Sequence, residues 1–205
     1  MSKRAAAVIL AAGESRRMGQ SKALLPWDGE TLITYQVRQL AMAGIHPIVV
    51  VLGHRAAEVG AALQNCPETT MVENRRYTEG KTTSIRAGAE ALTAEVDAVL
   101  IQAADQPRSA ETIAQLISDH FEAHALISIP VYQGKWGHPP VFSITLRQEL
   151  LNLSEEQQGL REVILRHREA IVEVPFSTPE VLWNLNTPDQ YQQALENKRT
   201  TNTHR

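Results

Sequence analysis

With 205 residues and 43% hydrophobic content, the chain has enough apolar material for one well-buried domain and too little length for two independent ones. A formal net charge of -3 and a pI near 6.2 exclude the strong basic footprint of a nucleic-acid or anionic-membrane binder, and neither partner is expected. Cys66 is the only cysteine, so no intrachain disulfide forms, and with no basic neighbour to activate its thiolate it reads as a structural residue.

In chain order, Met1 to Arg4 is basic and is followed by an apolar run, Ala5–Ala12, that stops at Gly13 and Glu14. That run is too short for a signal peptide with its cleavage site, and no stretch reaches the ~20 apolar residues of a spanning helix, so the expected location is cytoplasmic. Further β-rich runs follow at Ile48–Leu52, Thr70–Val72, Ala98–Ala103 and Leu126–Pro130. Between and after them lie helix-compatible stretches at Leu32–Ala43, Ala56–Gln64, Ser84–Leu92, Glu111–Phe121, Ile144–Leu153, Arg161–His167 and Asp189–Asn197. The alternation predicts an α/β layered domain on a mainly parallel sheet, spanning residues 1–196, with a polar tail at 197–205 that frays. His120 and His124 have i,i+4 spacing, but no HExxH pattern or nearby cysteine supports a metal site, and they read as structural.

The segment Val8–Pro26 carries the densest chemical signal: a β-run, then Gly13, Ser15, Arg16, Arg17, Gly19 and Lys22. In open α/β sheets ligands collect at the carboxyl ends of strands, and this loop falls there. Glycines let the backbone approach closely, exposed N–H groups cradle anionic oxygens, and the arginine fork suits phosphate. Neither GxxxxGK[ST] nor GxGxxG is present, and composition alone fits a solvated basic turn equally well. Asp105 follows the apolar Val99-Leu100-Ile101 and should end a strand, where a carboxylate suits Mg²⁺, although an Asp turn or helix N-cap also suits Asp-Gln-Pro. Ser84 reads as a helix start, able to serve as an ordinary N-cap or to face a ligand.

Leu10-Ala11-Ala12-Gly13, Ser15, Arg17, Met18-Gly19 and Lys22 together resemble the signature loop of the molybdenum cofactor cytidylyltransferases, within the MobA-like nucleotidyltransferases. The likeness continues in the same order through Glu79–Gly88, Ala104-Asp105-Gln106-Pro107, Gly137–Phe142 and Asn184–Pro188, covering roughly residues 5 to 195. The resemblance implies a three-layer α/β/α Rossmann-like fold with a mainly parallel mixed sheet, and transfer of CMP from CTP to the phosphate of a molybdopterin with Mg²⁺ as cofactor. It implies Lys22, Arg17 and Asp105 as catalytic groups. Nucleotide would lie on Leu10, Ala11, Ala12, Gly13, Ser15, Arg17, Lys22, Thr82, Thr83 and Ser84, and metal on Asp105 and Asn186. The acceptor would lie on Gly137, His138 and Pro139, with a molybdoenzyme or its maturation chaperone as the partner receiving the product.

Two positions depart from the pattern. Thr82 and Thr83 stand where serines are usual, which keeps the hydroxyl, and Asn184-Leu185-Asn186 stands for Asp-Ile-Asp, which keeps an oxygen ligand but removes negative charge. The alternatives in the same architecture are a molybdenum cofactor guanylyltransferase and a sugar-phosphate nucleotidyltransferase. A non-catalytic carrier of molybdenum cofactor is the alternative outside enzymes.

Overall fold

A computed structural model describes residues 3–15, 18–92 and 95–203, with side chains through Lys198. In chain order the main elements are β1 (Ala5–Ala11), β2 (Pro26–Trp27), β3 (Glu30–Thr31), α1 (Leu32–Met42), β4 (Ile48–Leu52), α2 (Ala56–Ala62) and β5 (Thr69–Glu73). There follow α3 (Lys81–Ala91), β6 (Ala98–Ala103), α4 (Ala110–Glu122), β7 (Ile127–Tyr132), β8 (Lys135–Trp136) and β9 (Val141–Ser143). The chain closes with α5 (Arg147–Leu151), α6 (Leu160–Arg166), β10 (Ile171–Pro175) and α7 (Pro188–Thr203). The described part of α7 continues past Asn197, where apolar periodicity ends.

Among the described residues one sheet runs β10-β7-β9-β6-β1-β4-β5, with β8 paired to β7. The pairs β1–β4, β1–β6, β4–β5 and β7–β10 are parallel, and β9 enters antiparallel to both β6 and β7. The mixed, mainly parallel sheet is therefore the expected one. The short antiparallel strand β9 and the edge strand β10 were not expected as strands. β9 holds only Val141-Phe142-Ser143, and β10 at the sheet's edge buries only Val174 fully and is interrupted by the exposed Glu173, so neither offers a continuous apolar run.

Alternating side chains of β1 supply both halves of the core, as the two-residue period of a strand requires. Ala5, Ala7, Ile9 and Ala11 face α1, α2 and α4 through Ile33, Val37, Leu40, Val59, Ile113 and Leu116. Ala6, Val8 and Leu10 face α3, α5 and α6 through Ile85, Ala89, Leu150 and Val163. Fully burying each large aliphatic side chain contributes about 1.5–3 kcal/mol, so this double packing fixes the central strand and the loop at its end. A smaller cluster of Leu25, Trp27, Leu32, Tyr35, Leu185 and Ala194 binds α7 to the β2–β3 hairpin. Lys198 reinforces it, its ammonium 2.8 Å from Asp28 and 4.4 Å from the Tyr35 ring centre.

Cys66 is buried and free, and burial followed by the charges of Glu68 and Glu30 pushes its thiol up, consistent with a packing role. His120 is also buried, with Nδ1 2.8 Å from the Ser128 hydroxyl. Burial, with a smaller contribution from Lys3, pushes its imidazole down to about 4.

Two stability measurements test this packing. An ideal Cβ on Gly88 would press into the Val8 side chain and lie 3.1 Å from Val51 Cγ2. Gly88→Ala should therefore destabilise by about 1–2 kcal/mol in urea unfolding despite alanine's better helix propensity, and an unchanged or raised midpoint would contradict the packing. Because the folded pKa of His120 lies below its unfolded value, its neutral form contributes stability that is present above pH 6.5 and lost as pH falls toward 4. Wild-type stability should fall through that window, and His120→Gln should flatten the profile, on the order of 2 kcal/mol.

Candidate active site

The chain leaves β1 in both directions across the sheet, to β4 on one side and β6 on the other, so the carboxyl ends of β1 and β6 bound a topological switch point. There a cavity of about 390 Å³ opens. Leu10 and Ala103 are parallel partners, and Ala104 N–H donates to the Leu10 carbonyl at 3.0 Å, which brings the Gly13 loop and the Asp105 loop side by side. Sequence-expected Leu10, Ala11, Ala12, Gly13, Ser15, Lys22, Ser84, Asp105 and Asn186 all line this one cavity.

At its base the Lys22 ammonium donates to Asp105 Oδ2 at 2.7 Å and to Asn186 Oδ1 at 2.6 Å. Residues separated by 83 and 164 positions thus converge on a single nitrogen, and both ends of the Lys22–Asp105 ion pair are largely shielded, at 14% and 16% exposed. Two oxygen donors focused on one cation form the hard-ligand set that suits a magnesium-like ion carrying phosphate ligands of its own, so these residues fit the implied metal. Ser15 takes a supporting place: its hydroxyl accepts from Lys22 N–H at 3.1 Å, and its carbonyl accepts from Met18 N–H. Arg17, expected at the triphosphate, lies outside the described residues.

Helix α3 begins at Lys81 rather than Ser84, so Ser84 is inside the first turn and the expectation of a helix start there is corrected. The glycine at 80, with φ +123°, makes the sharp entry that allows the earlier start. Ser84 Oγ accepts from Asn74 Nδ2 at 2.9 Å, which leaves the hydroxyl hydrogen to offer to the cavity. Thr82 and Thr83 do not line the cavity. Thr83 Oγ1 accepts from Asn74 and its single hydroxyl hydrogen is shared between the Gly80 and Arg76 carbonyls, while Thr82 is buried, with its N–H donating to Glu155 Oε1 at 2.6 Å.

Gly137, His138 and Pro139 also lie outside the cavity lining. Gly137 is required by close approach: a Cβ there would stand 2.5 Å from the Val181 carbonyl oxygen. His138 reaches solvent, yet desolvation in the cleft, with the charges of Arg108 and Lys81, pushes its imidazole down to about 4 against a smaller opposing pull from Asp105. It is therefore neutral at pH 7.

Sequence reasoning missed the groups that hold these segments in place. Arg108, with no exposed surface, donates from Nε to the His138 carbonyl (2.8 Å), from Nη1 to Pro107 (2.6 Å), and from Nη2 to Val181 (2.8 Å) and Trp183 (3.1 Å). Desolvation lowers its pKa to about 10, and Glu180, Asp105 and Tyr35 oppose that fall, so it remains charged. Buried Glu180 accepts from the Ser109 and Thr112 hydroxyls. Beneath Asp105, Gln36 donates to the Ala104 carbonyl at 2.6 Å and Gln102 to Gln36 and the Gln106 carbonyl. Leu185 N–H donates to the Asp105 carbonyl at 2.9 Å, which lays the Asn184–Asn186 segment against the Asp105 loop. Tyr77 and Lys81 were also missed as cavity residues; a basic side chain directly before Thr82 was the available signal for the latter.

Comparison with known proteins places this geometry in a family. The chain is 27% identical over 189 residues to the molybdenum cofactor cytidylyltransferase of Escherichia coli K12, covering 92% of this chain and 94% of that one. It is 31% identical over 176 residues to nicotine blue oxidoreductase of Paenarthrobacter nicotinovorans, covering 82% and 84%. Among solved structures, Rv0371c from Mycobacterium tuberculosis H37Rv superposes with a TM-score of 0.82 at 25% identity, covering 96% of this chain and all of that one. A manganese complex of the same mycobacterial protein has a TM-score of 0.71 at 25% identity, covering 95% and 99%. The profile of the MobA-like NTP transferase domain matches residues 7–171, and the chain belongs to that family.

Proposed function

We propose that this protein transfers CMP from CTP to the phosphate of a molybdopterin, releasing pyrophosphate. The observation that carries the reading is the convergence of Lys22, Asp105 and Asn186 at the switch-point cavity, beneath the Gly13 turn. Support for the acceptor and nucleotide comes from the likeness to the E. coli cytidylyltransferase over nearly the whole of both chains. The relative named as an oxidoreductase shows why identity alone does not assign the reaction. A carboxylate, an amide oxygen and an ammonium gathered at one point favour phosphate chemistry.

A phosphate monoester has a second pKa near 6 and is largely dianionic at pH 7, so its oxygen attacks the α-phosphorus without a general base. The new bond joins that oxygen to phosphorus, and the bond to the β-phosphate breaks with its electron pair leaving on pyrophosphate. Catalysis then reduces to positioning and electrostatic stabilisation. Asp105 and Asn186 would hold a divalent cation, Mg²⁺ by this reading, whose chemistry is to neutralise charge on the phosphates. Lys22, anchored at the same point, would offer its ammonium to the α-phosphate, and Arg17 would take the β- and γ-phosphates. The Ala11–Gly13 turn and Ser84 would bracket the base. Ala12 is buried against Gly53, and the His54 N–H donates to the Ala12 carbonyl at 3.0 Å, so the shape of this turn is set by local packing.

Two expected outcomes test the proposal. With molybdopterin and each nucleoside triphosphate, pyrophosphate release should be greatest with CTP. Lys22→Ala and Asp105→Ala should each lower kcat by about a hundredfold to a thousandfold with circular dichroism unchanged, and Asn186→Asp should lower the Mg²⁺ concentration needed for half-maximal rate. Wild type that binds molybdopterin but releases nothing with any nucleotide would replace the transferase with a carrier. The second outcome concerns the base: Ala12→Gly should shift the CTP/GTP ratio of kcat/KM toward GTP, about tenfold, the size expected for a single small change in a pocket. A constant ratio would move base recognition away from this turn.

A further inference from the structure

Two cations line the cavity among the described residues, Lys22 and Lys81. The Lys22 ammonium is committed to Asp105 and Asn186. Lys81 is exposed and makes no hydrogen bond or ion pair with any described residue. It is also misplaced for the helix that it begins. As the first residue of α3 it puts a positive charge at the end where the helix dipole is already positive, which opposes helix stability. A free N–H at that helix end is not what an incoming anion would meet first, because Glu155 already accepts from Thr82 N–H and lies across Gly80. The unpaired feature is the lysine charge itself.

That charge stands on the wall of the cavity that also holds Lys22, Asp105 and Asn186. Lys81 borders the nucleotide cavity beside Gly80 and Ser84, and its ammonium acts on the imidazole of His138 in the Gly137–Pro139 segment. A dianionic acceptor phosphate needs positive charge on its own side of the reaction centre. Arg108 has none to give, since its guanidinium is sealed against four backbone carbonyls. His138 is a neutral donor or acceptor at pH 7 and adds no charge.

We propose that Lys81 binds the phosphomonoester of the acceptor and holds its attacking oxygen toward the α-phosphorus, so that it selects for acceptors carrying a terminal phosphate. This rests on the nucleotidyl-transfer reading and adds to it a contact on the acceptor side. Lys81 stays protonated throughout, and the transfer needs no proton from it.

Lys81 is at the surface, so its variants should fold, with circular dichroism as the check. In initial-rate measurements Lys81→Gln should raise KM for the acceptor about ten- to a hundredfold, the range for loss of a charge-assisted hydrogen bond. KM for CTP should stay within about twofold, and Lys81→Arg should recover most of the loss, which a merely structural role would not produce. An unchanged acceptor KM in Lys81→Gln, or a rise in the CTP KM instead, would overturn the proposal. A binding measurement separates this test from turnover: inorganic phosphate is titrated into protein saturated with α,β-methylene-CTP and followed by ³¹P NMR. Phosphate binding weakened about tenfold or more in Lys81→Gln supports the assignment, and equal binding in both proteins overturns it. If wild type binds phosphate through Lys81 yet transfers no nucleotide, the transfer reading fails while the phosphate site stands.

Discussion

The Arg108 guanidinium joins three stretches of chain that are distant in sequence, one of which carries Asp105 and another of which leads to Asn186. Its four bonds run to the carbonyls of Pro107, His138, Val181 and Trp183, tying the Asp105 loop to the Gly137–Pro139 segment and to the short 3-10 turn Pro179–Leu182 that precedes Asn186. A buried charge is costly unless nearly all its donors are used, and a planar fork with five N–H groups meets that condition where lysine would not. Removal would leave the Pro107, His138 and Trp183 carbonyls without this donor, while the His138 N–H bond to the Val181 carbonyl at 2.8 Å would still join the latter two segments. The position of Asp105 is thus over-determined: Arg108 holds the loop after it, the Gln36–Gln102 amides hold the carbonyls on either side, and Leu185 bonds its own carbonyl.

Rigidity of this kind is what the proposed transfer, which uses no general base, requires. If the nucleophile arrives already ionised, rate comes from where the charges stand, and small displacements of Lys22 or Asp105 would matter more than any titration. The parallel packing of β1 against β4 and β6 supplies the coarse placement, and the buried polar bonds supply the fine one. The hairpin, α7 and Leu185 cluster completes the frame, because Leu185 is packed while its neighbours Asn184 and Asn186 face the cavity.

Much of this was legible in the sequence, for identifiable reasons. Continuous apolar runs such as Ile48–Leu52 and Ala98–Ala103 announce buried parallel strands, and Gly13, Ser15 and Lys22 after Ala12 line the cavity as their position after a strand suggests. β9 was hidden because three residues carry no period, and its place between β6 and β7 is set by pairing on both sides. The start of α3 was misplaced because Lys81 and Thr82 have no strong helical signal, and the early start depends on Gly80 and a carboxylate from Glu155, far along the chain. Thr82 and Thr83 carry the right hydroxyls for a ligand but spend them, or bury them, on the fold. Arg108 could not be read as a keystone, since a lone arginine after Pro107 resembles any solvated charge until its carbonyl partners are brought to it.

In the proposed reaction the α-phosphorus of the nucleotide is the atom attacked, and the acceptor phosphate attacks it. The direct measurement is a parallel transfer assay with CTP carrying ³²P at the α or at the γ position, in the presence of Mg²⁺ and molybdopterin, with the acceptor separated from nucleotide and pyrophosphate. Label should appear on the acceptor from the α-labelled nucleotide and be absent from it with the γ-labelled one. Label transferred from the γ position, or α-label recovered only as free CMP, would rule out nucleotidyl transfer to the acceptor phosphate.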